Sequence, residues 1–198
     1  MAVTPNYSWP VPVNTDYVKD GAEAIKDLGD AIDATVFGLP SGGLTLIKTQ
    51  VIGSAVSSVT VSGAFSATYD NYKIIISNLV GSAGTTLNFN FIGSTANYYS
   101  ALSGAVYATG VPYILTANNQ ADMKFFGTSD PAYGFANCDV LQPFLAKPSA
   151  IMGGVVAATI AGFTGCYHSP ATSYTDFKVA PVSGTITGSV KVYGYKES

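Results

Sequence analysis

Only one stretch of this chain reads as a helix, and it is too narrow to bury itself. In Asp16 to Val36, DYVKDGAEAIKDLGDAIDATV, the apolar positions fall on a heptad grid. Val18, Ile25 and Ile32 occupy one core position, Gly21, Leu28 and Thr35 the other, and Ala24 and Ala31 flank them. Asp20, Asp27, Asp30 and Asp33 turn away from that stripe. Gly21 and Gly29 each weaken the helix by about 1 kcal/mol relative to Ala. Such a segment needs copies of itself or a host surface. It is read as an assembly element, with Val18, Ile25, Leu28 and Ile32 as its contacts.

The flanks set its limits. Residues 4–13, TPNYSWPVPV, are expected to be extended, because Pro5, Pro10 and Pro12 fix their own φ and restrict the residues before them. Tyr7, the only Trp (Trp9) and Pro10 make this a docking arm, which seats on another protein or folds back on its own domain. Asn14 or Thr15 can cap the helix start. Gly38-Leu-Pro40 ends it, and Ser41-Gly42-Gly43 is a flexible joint. The domain boundary is placed there, giving an anchoring region 1–43 and a head 44–198.

From Leu44 onward the period changes to two. Leu87, Phe89 and Phe91 alternate with Thr86, Asn88 and Asn90, and Ile186, Gly188, Val190 and Val192 share one face near the C-terminus. Further strands are expected over 44–52, 59–65 and 72–80, the last with Tyr72, Ile74 and Ile76 on one side. Clusters of Gly, Asn, Ser and Pro at 53–54, 81–84, 93–97, 117–120, 127–134, 147–149 and 169–173 are read as turns. The fold class is therefore mainly β: an arm and short helix, then a single antiparallel β-sandwich of eight or so strands, jelly-roll-like, with an up-and-down barrel as second choice. Tyr69-Asp-Asn-Tyr-Lys73 echoes Tyr174-Thr-Asp-Phe-Lys178, which reads as two similar strand beginnings.

Charge excludes some functions. Charged residues make up 11% of the chain, the net charge is −3, and all nine basic residues are Lys. Without Arg for bidentate phosphate and base contacts, nucleic-acid binding is not expected. Residues 1–43 hold six acids and two Lys, whereas residues 44–198 hold six acids and seven Lys. A large region so poor in charge points to surface hidden in oligomer contacts. Its weakly polar run 150–163 is too short and too interrupted by Gly to span a bilayer, so no membrane insertion is expected. The N-terminus lacks the features of a signal peptide, so assembly in a cytoplasm is expected.

Chemistry-bearing residues are few. The one His, His168, stands beside a turn and reads as a surface residue. Cys138 and Cys166 cannot supply the four or so ligands of a zinc site, and cytoplasmic assembly favours reduced thiols over a bridge. Asp70, Asp122, Asp130, Asp139, Asp176 and Glu197 lie in or near expected turns, where Asp serves the backbone. No catalytic residue, cofactor or metal is assigned. Aromatics are the remaining signal: Tyr98, Tyr99, Tyr107, Tyr113, Tyr133 and Tyr167 lie in or near loops, and Tyr suits contact with sugar rings or protein partners.

With arm, helix and joint in view, the N-terminal region resembles tailed-bacteriophage virion structural proteins. The likeness runs from Thr4-Pro-Asn-Tyr-Ser-Trp-Pro10 through Asn14-Thr-Asp16 to Leu28-Gly-Asp-Ala-Ile32-Asp-Ala-Thr-Val36, and Gly184 to Tyr195 is similar to the terminal strand of their β-sandwich heads. The matching stretches cover about a quarter of the chain. The resemblance implies a homotrimeric fibre or decoration subunit in the virion. Its N-terminus would anchor on capsid or tail proteins, and its head would project, with a host-surface glycan as a candidate partner. Two other readings stay open: a carbohydrate-binding module outside a virus, and a small glycan-cleaving enzyme.

Overall fold

The computed structural model describes residues 2–13, 15, 17–38 and 43–196. It divides into two compact units, residues 1–42 and 43–197. Asn14, Asp16, Leu39 and Pro40 of the expected helix end, Ser41 and Gly42 of the expected joint, and Glu197 lie outside the described residues.

In the first unit, β1 (Ala2–Val3) pairs antiparallel with β2 (Pro10–Val11). The arm is thus a small hairpin and not an extended segment. Thr4 closes it: its N–H donates to the Trp9 carbonyl at 2.9 Å, its carbonyl accepts the Ser8 N–H, and its hydroxyl accepts the Trp9 N–H at 3.0 Å. Ser8, at φ 53°, makes the reversal. The prolines oppose none of this, since a two-residue ladder leaves their missing N–H groups outside it. A 3₁₀ turn over Val18–Asp20 leads into helix α1 (Gly21–Gly38). The helix therefore starts later than expected, and Val18 lies ahead of it.

The second unit is all antiparallel strand: β3 (Gly43–Val56), β4 (Val59–Val61), β5 (Asn71–Gly81), β6 (Thr85–Phe91), β7 (Tyr98–Val106), β8 (Pro112–Gln120), β9 (Met123–Ser129), β10 (Gly134–Leu141), β11 (Ser149–Val156), β12 (Ile160–His168), β13 (Phe177–Pro181) and β14 (Ile186–Lys196). Twelve strands replace the expected eight or so. One layer runs β3-β14-β5-β10-β11-β12-β7-β8 and the other β4-β13-β6-β9. Strand β10 joins them: Gly134 and Phe135 pair with β9, and Ala136–Leu141 pair with β5. The molecule is mainly β, 56% strand against 11% helical, in keeping with a β-sandwich.

The core lies between the layers. Leu87, Phe89, Phe91, Phe126 and Phe177 on one side meet Tyr72, Ile74, Val140, Ile151 and Val192 on the other, all fully buried. Phe89 stacks between Phe126 and Phe177, with both centroid distances at 5.2 Å. The alternations expected for residues 72–76, 87–91 and 186–192 thus point inward. Gly188, at φ 145°, sits at a bulge where a Cβ would come within 2.9 Å of the Ser77 carbonyl oxygen, so a larger residue is excluded there.

Two expected turns are strand instead. Gly53-Ser54 lies inside β3 and residues 117–120 inside β8. Each strand pairs on one side only, so polar residues cost it little, and each carries a left-handed residue, Ala55 or Asn119.

Candidate functional site

The helix of the first unit is the first place where the molecule leaves something uncovered. Ala24, Leu28, Ala31 and Thr35, at helical spacing, form the side facing the hairpin. Ala24 is buried, the other three are half-buried, and the Thr35 hydroxyl accepts the Trp9 indole N–H at 2.8 Å. Trp9 stacks in turn on Tyr7. Tyr7, Trp9 and Pro10 are therefore spent at least partly within their own unit.

Leu28 and Thr35 belong to the hairpin-facing side, so the expected heptad seam is displaced. The uncovered edge of the apolar arc is Ala22, Ile25, Gly29 and Val36, with Ile32 half-buried in the same line, spaced three and four apart. Ile25 is 67% exposed and Val36 59%. Val18, 98% exposed, precedes the same line from the 3₁₀ turn.

In the second unit the six candidate tyrosines fall into separate places. Tyr98 is corrected outright: it is fully buried, and its hydroxyl accepts the Phe91 N–H at 2.8 Å. As the first residue of β7 it alternates inward with Ser100 and Leu102. Tyr107 is exposed between β7 and β8. Tyr99 and Tyr167 are a cross-strand pair, centroids 6.2 Å apart, on the outer face. Phe163, Met152, Val156 and Ile114 are exposed on that face too, and β11, β12, β7 and β8 contain no charged residue.

Tyr113 and Tyr133 meet at a cleft of about 200 Å³ where the two layers part. Its apolar floor is Leu102, Leu115, Val155 and Ile160, and its polar rim is Thr85, Thr86 and Asp130. Asp130 opens the β9–β10 turn: its N–H donates to the Tyr133 carbonyl at 2.7 Å, and its Oδ1 accepts the Ala132 N–H at 3.0 Å. Among the described residues its Oδ2, and the hydroxyls of Thr85, Thr86, Tyr113 and Tyr133, have no hydrogen-bond partner. Tyr133 rests on Phe135, centroids 5.6 Å apart. Spacing on Tyr113 gave no hint of this convergence, which depends on strand order across both layers.

His168 is not the surface residue expected. It is fully buried at the end of β12, on the inward face with Thr164 and Cys166, and stacks on Tyr98 at 4.0 Å. The strand period puts it there, although two of the three residues of that run are polar. Its Nδ1 lies 3.2 Å from the Asn97 carbonyl, which can only accept, so Nδ1 carries the proton. Nε2 then accepts from the Tyr174 hydroxyl at 3.0 Å, with Ser94 Oγ 3.2 Å away. Burial holds its pKa below the ordinary 6.5, against the Asn97 hydrogen bond, which raises it. The Ser94–His168 contact has the atoms of a nucleophile and base, but the imidazole has no exposed edge and faces a neutral carbonyl in place of a carboxylate.

Cys138 and Cys166 are free and buried. Burial pushes their thiols up to about 12 and about 11, leaving both protonated at neutral pH. Among the described residues no group of three or more His, Cys, Asp or Glu could hold a metal, and no helix is long and apolar enough to cross a membrane. No protein-family model, curated protein or solved structure matches the chain.

Proposed function

We propose that this protein is a non-enzymatic structural subunit of a tailed-bacteriophage virion, a homotrimeric fibre or decoration protein. Its N-terminal unit attaches to capsid or tail, and its β unit serves as the projecting head that meets the host surface. The observation that carries the reading is the stripe Ala22, Ile25, Gly29 and Val36, uncovered along the helix, with Ile32 half-buried within it. A hairpin of a dozen residues covers one edge of the helix and leaves the other apolar and exposed at every position but Ile32. Burying an exposed Ile such as Ile25 is worth up to about 1.5–3 kcal/mol, so helices that share the stripe gain by associating. The uncharged outer face of β11, β12, β7 and β8 offers a second surface for association, as the scarcity of charge suggested.

Sedimentation mass tests this. The full chain is expected to be a trimer, the double variant Ile25→Asp/Ile32→Asp a monomer, and Phe163→Asp still a trimer. A monomeric Phe163→Asp with a trimeric helix variant would move the interface to the sheet. A monomeric wild type would turn the stripe into a docking face for another virion protein. A carbohydrate-binding module outside a virus is the second reading, favoured by the cleft at Tyr113 and Tyr133.

A further inference from the structure

We infer that the cleft between the layers of the β unit binds a single neutral pyranose ring, with Tyr113 and Tyr133 as its walls and Asp130 as its principal acceptor. The inference rests on reading the β unit as the part that meets a surface, and it names what that unit recognises.

Size comes first. At about 200 Å³ the cleft is smaller than the roughly 300–1,000 Å³ of sites that enclose drug-sized ligands, and it has room for one ring. The lining then sets the chemistry. A pyranose has an apolar C–H face and a girdle of hydroxyls, each able to donate and accept. Leu102, Leu115 and the tyrosine rings suit the former. The hydroxyls suit Asp130 Oδ2, which accepts, and Thr85 and Thr86, which do both; none of these has a partner among the described residues.

Alternatives fit less well. An acidic sugar or a phosphate would bring a negative charge to Asp130 with no Lys in the lining to offset it. A quaternary ammonium would welcome Tyr113, Tyr133 and the carboxylate. It would leave the hydroxyls of Thr85 and Thr86 without use, because it neither donates to nor accepts from them. The unused hydroxyls decide for the polyol. Asp130 is also held in place before any ligand arrives, by the two hydrogen bonds of its own turn, so little ordering is lost on binding.

Saturation-transfer NMR on the full chain is the test. The probes are the methyl glycosides of glucose, galactose and mannose and their 2-acetamido counterparts, with N-acetylneuraminic acid and choline beside them. At least one neutral glycoside is expected to bind with a dissociation constant on the order of 1 mM, as befits one small ring. The acid and choline are expected not to bind. Tyr113→Ala and Thr86→Val are expected to weaken binding about tenfold or more, and Asp130→Asn to do the same while keeping the Ala132 hydrogen bond. Amide spectra of each variant check that the fold is intact, and Thr86→Val, whose side chain holds nothing together, guards against a folding artefact. Silence from every neutral glycoside overturns the inference. So does preferential binding of choline or the acid, or binding that survives all three substitutions in folded protein. The mass measurement on the helix variants is independent of this result, so loss of the sugar site leaves the assembly reading standing, and the reverse.

Discussion

At the scale of single residues the most informative group is His168. Its imidazole is neutral in the fold because burial opposes the charge, while Asn97 and Tyr174 satisfy both nitrogens. The sign of the consequence follows from linkage. The unfolded chain takes up a proton as pH falls through the ordinary 6.5, and the folded chain does so only at lower pH. The contribution is therefore complete above 6.5 and is lost as pH falls below it, down to the depressed folded value. Denaturant midpoints are expected to fall between pH 7.5 and pH 5.5, and His168→Gln, which removes the only His, should flatten that slope. A wild-type midpoint that is constant over this range would show that the folded site accepts the proton freely. From sequence alone His168 looks exposed, because its neighbours Ser169 and Pro170 suggest a turn. The period-two run Thr164, Cys166, His168 was there, but two of its three members are polar and carry no hydrophobic signal.

At the scale of elements, the hairpin and helix of the first unit depend on each other. Only Ala24 of the helix is buried, so little hydrophobic area holds α1 to β2. The Trp9–Thr35 hydrogen bond is thus a large share of what fixes the pair. Thr35→Val keeps the shape and strands the indole N–H, at a cost of about 1 kcal/mol or somewhat more. Because Trp9 is the only Trp, its emission should shift red in this variant; unchanged emission would mean the indole is already solvated. The helix itself was legible from the spacing of Val18, Ile25 and Ile32. What spacing could not show was which edge of the apolar arc the hairpin would take, because the prolines masked the hairpin. In the second unit β5, β6 and β14 were legible, since Tyr, Phe, Ile and Val alternate there with polar residues. Strands β7, β8, β11 and β12 were not, because Ala, Ser and Gly on their outer faces blur the period, and Asn118, Asn119 and Gln120 look like a turn. The cleft was legible only as two tyrosines among six.

At the scale of the whole molecule, the two units differ in what stabilises them. Residues 43–197 enclose a continuous core of Phe, Ile, Val and Tyr, enough for a cooperative fold on its own terms. The N-terminal unit has almost no core, and its 18-residue helix is only about a turn longer than the length below which isolated helices are marginal in water, about 12–15 residues. If the uncovered stripe is what completes it, stability there must come from association, and association obeys mass action. The two units carry separate probes: Trp9 emission reports the first, and the β circular-dichroism band reports the second. Heating is expected to give two transitions. The midpoint followed by Trp9 should rise with protein concentration, while the β midpoint should stay fixed. In Ile25→Asp/Ile32→Asp the Trp9 transition should move to lower temperature and lose its concentration dependence, and the β transition should not move. A Trp9 midpoint independent of concentration in a trimeric wild type would place the subunit contacts in the sheet, where Phe163 and Tyr167 stand exposed on strands without a single charge.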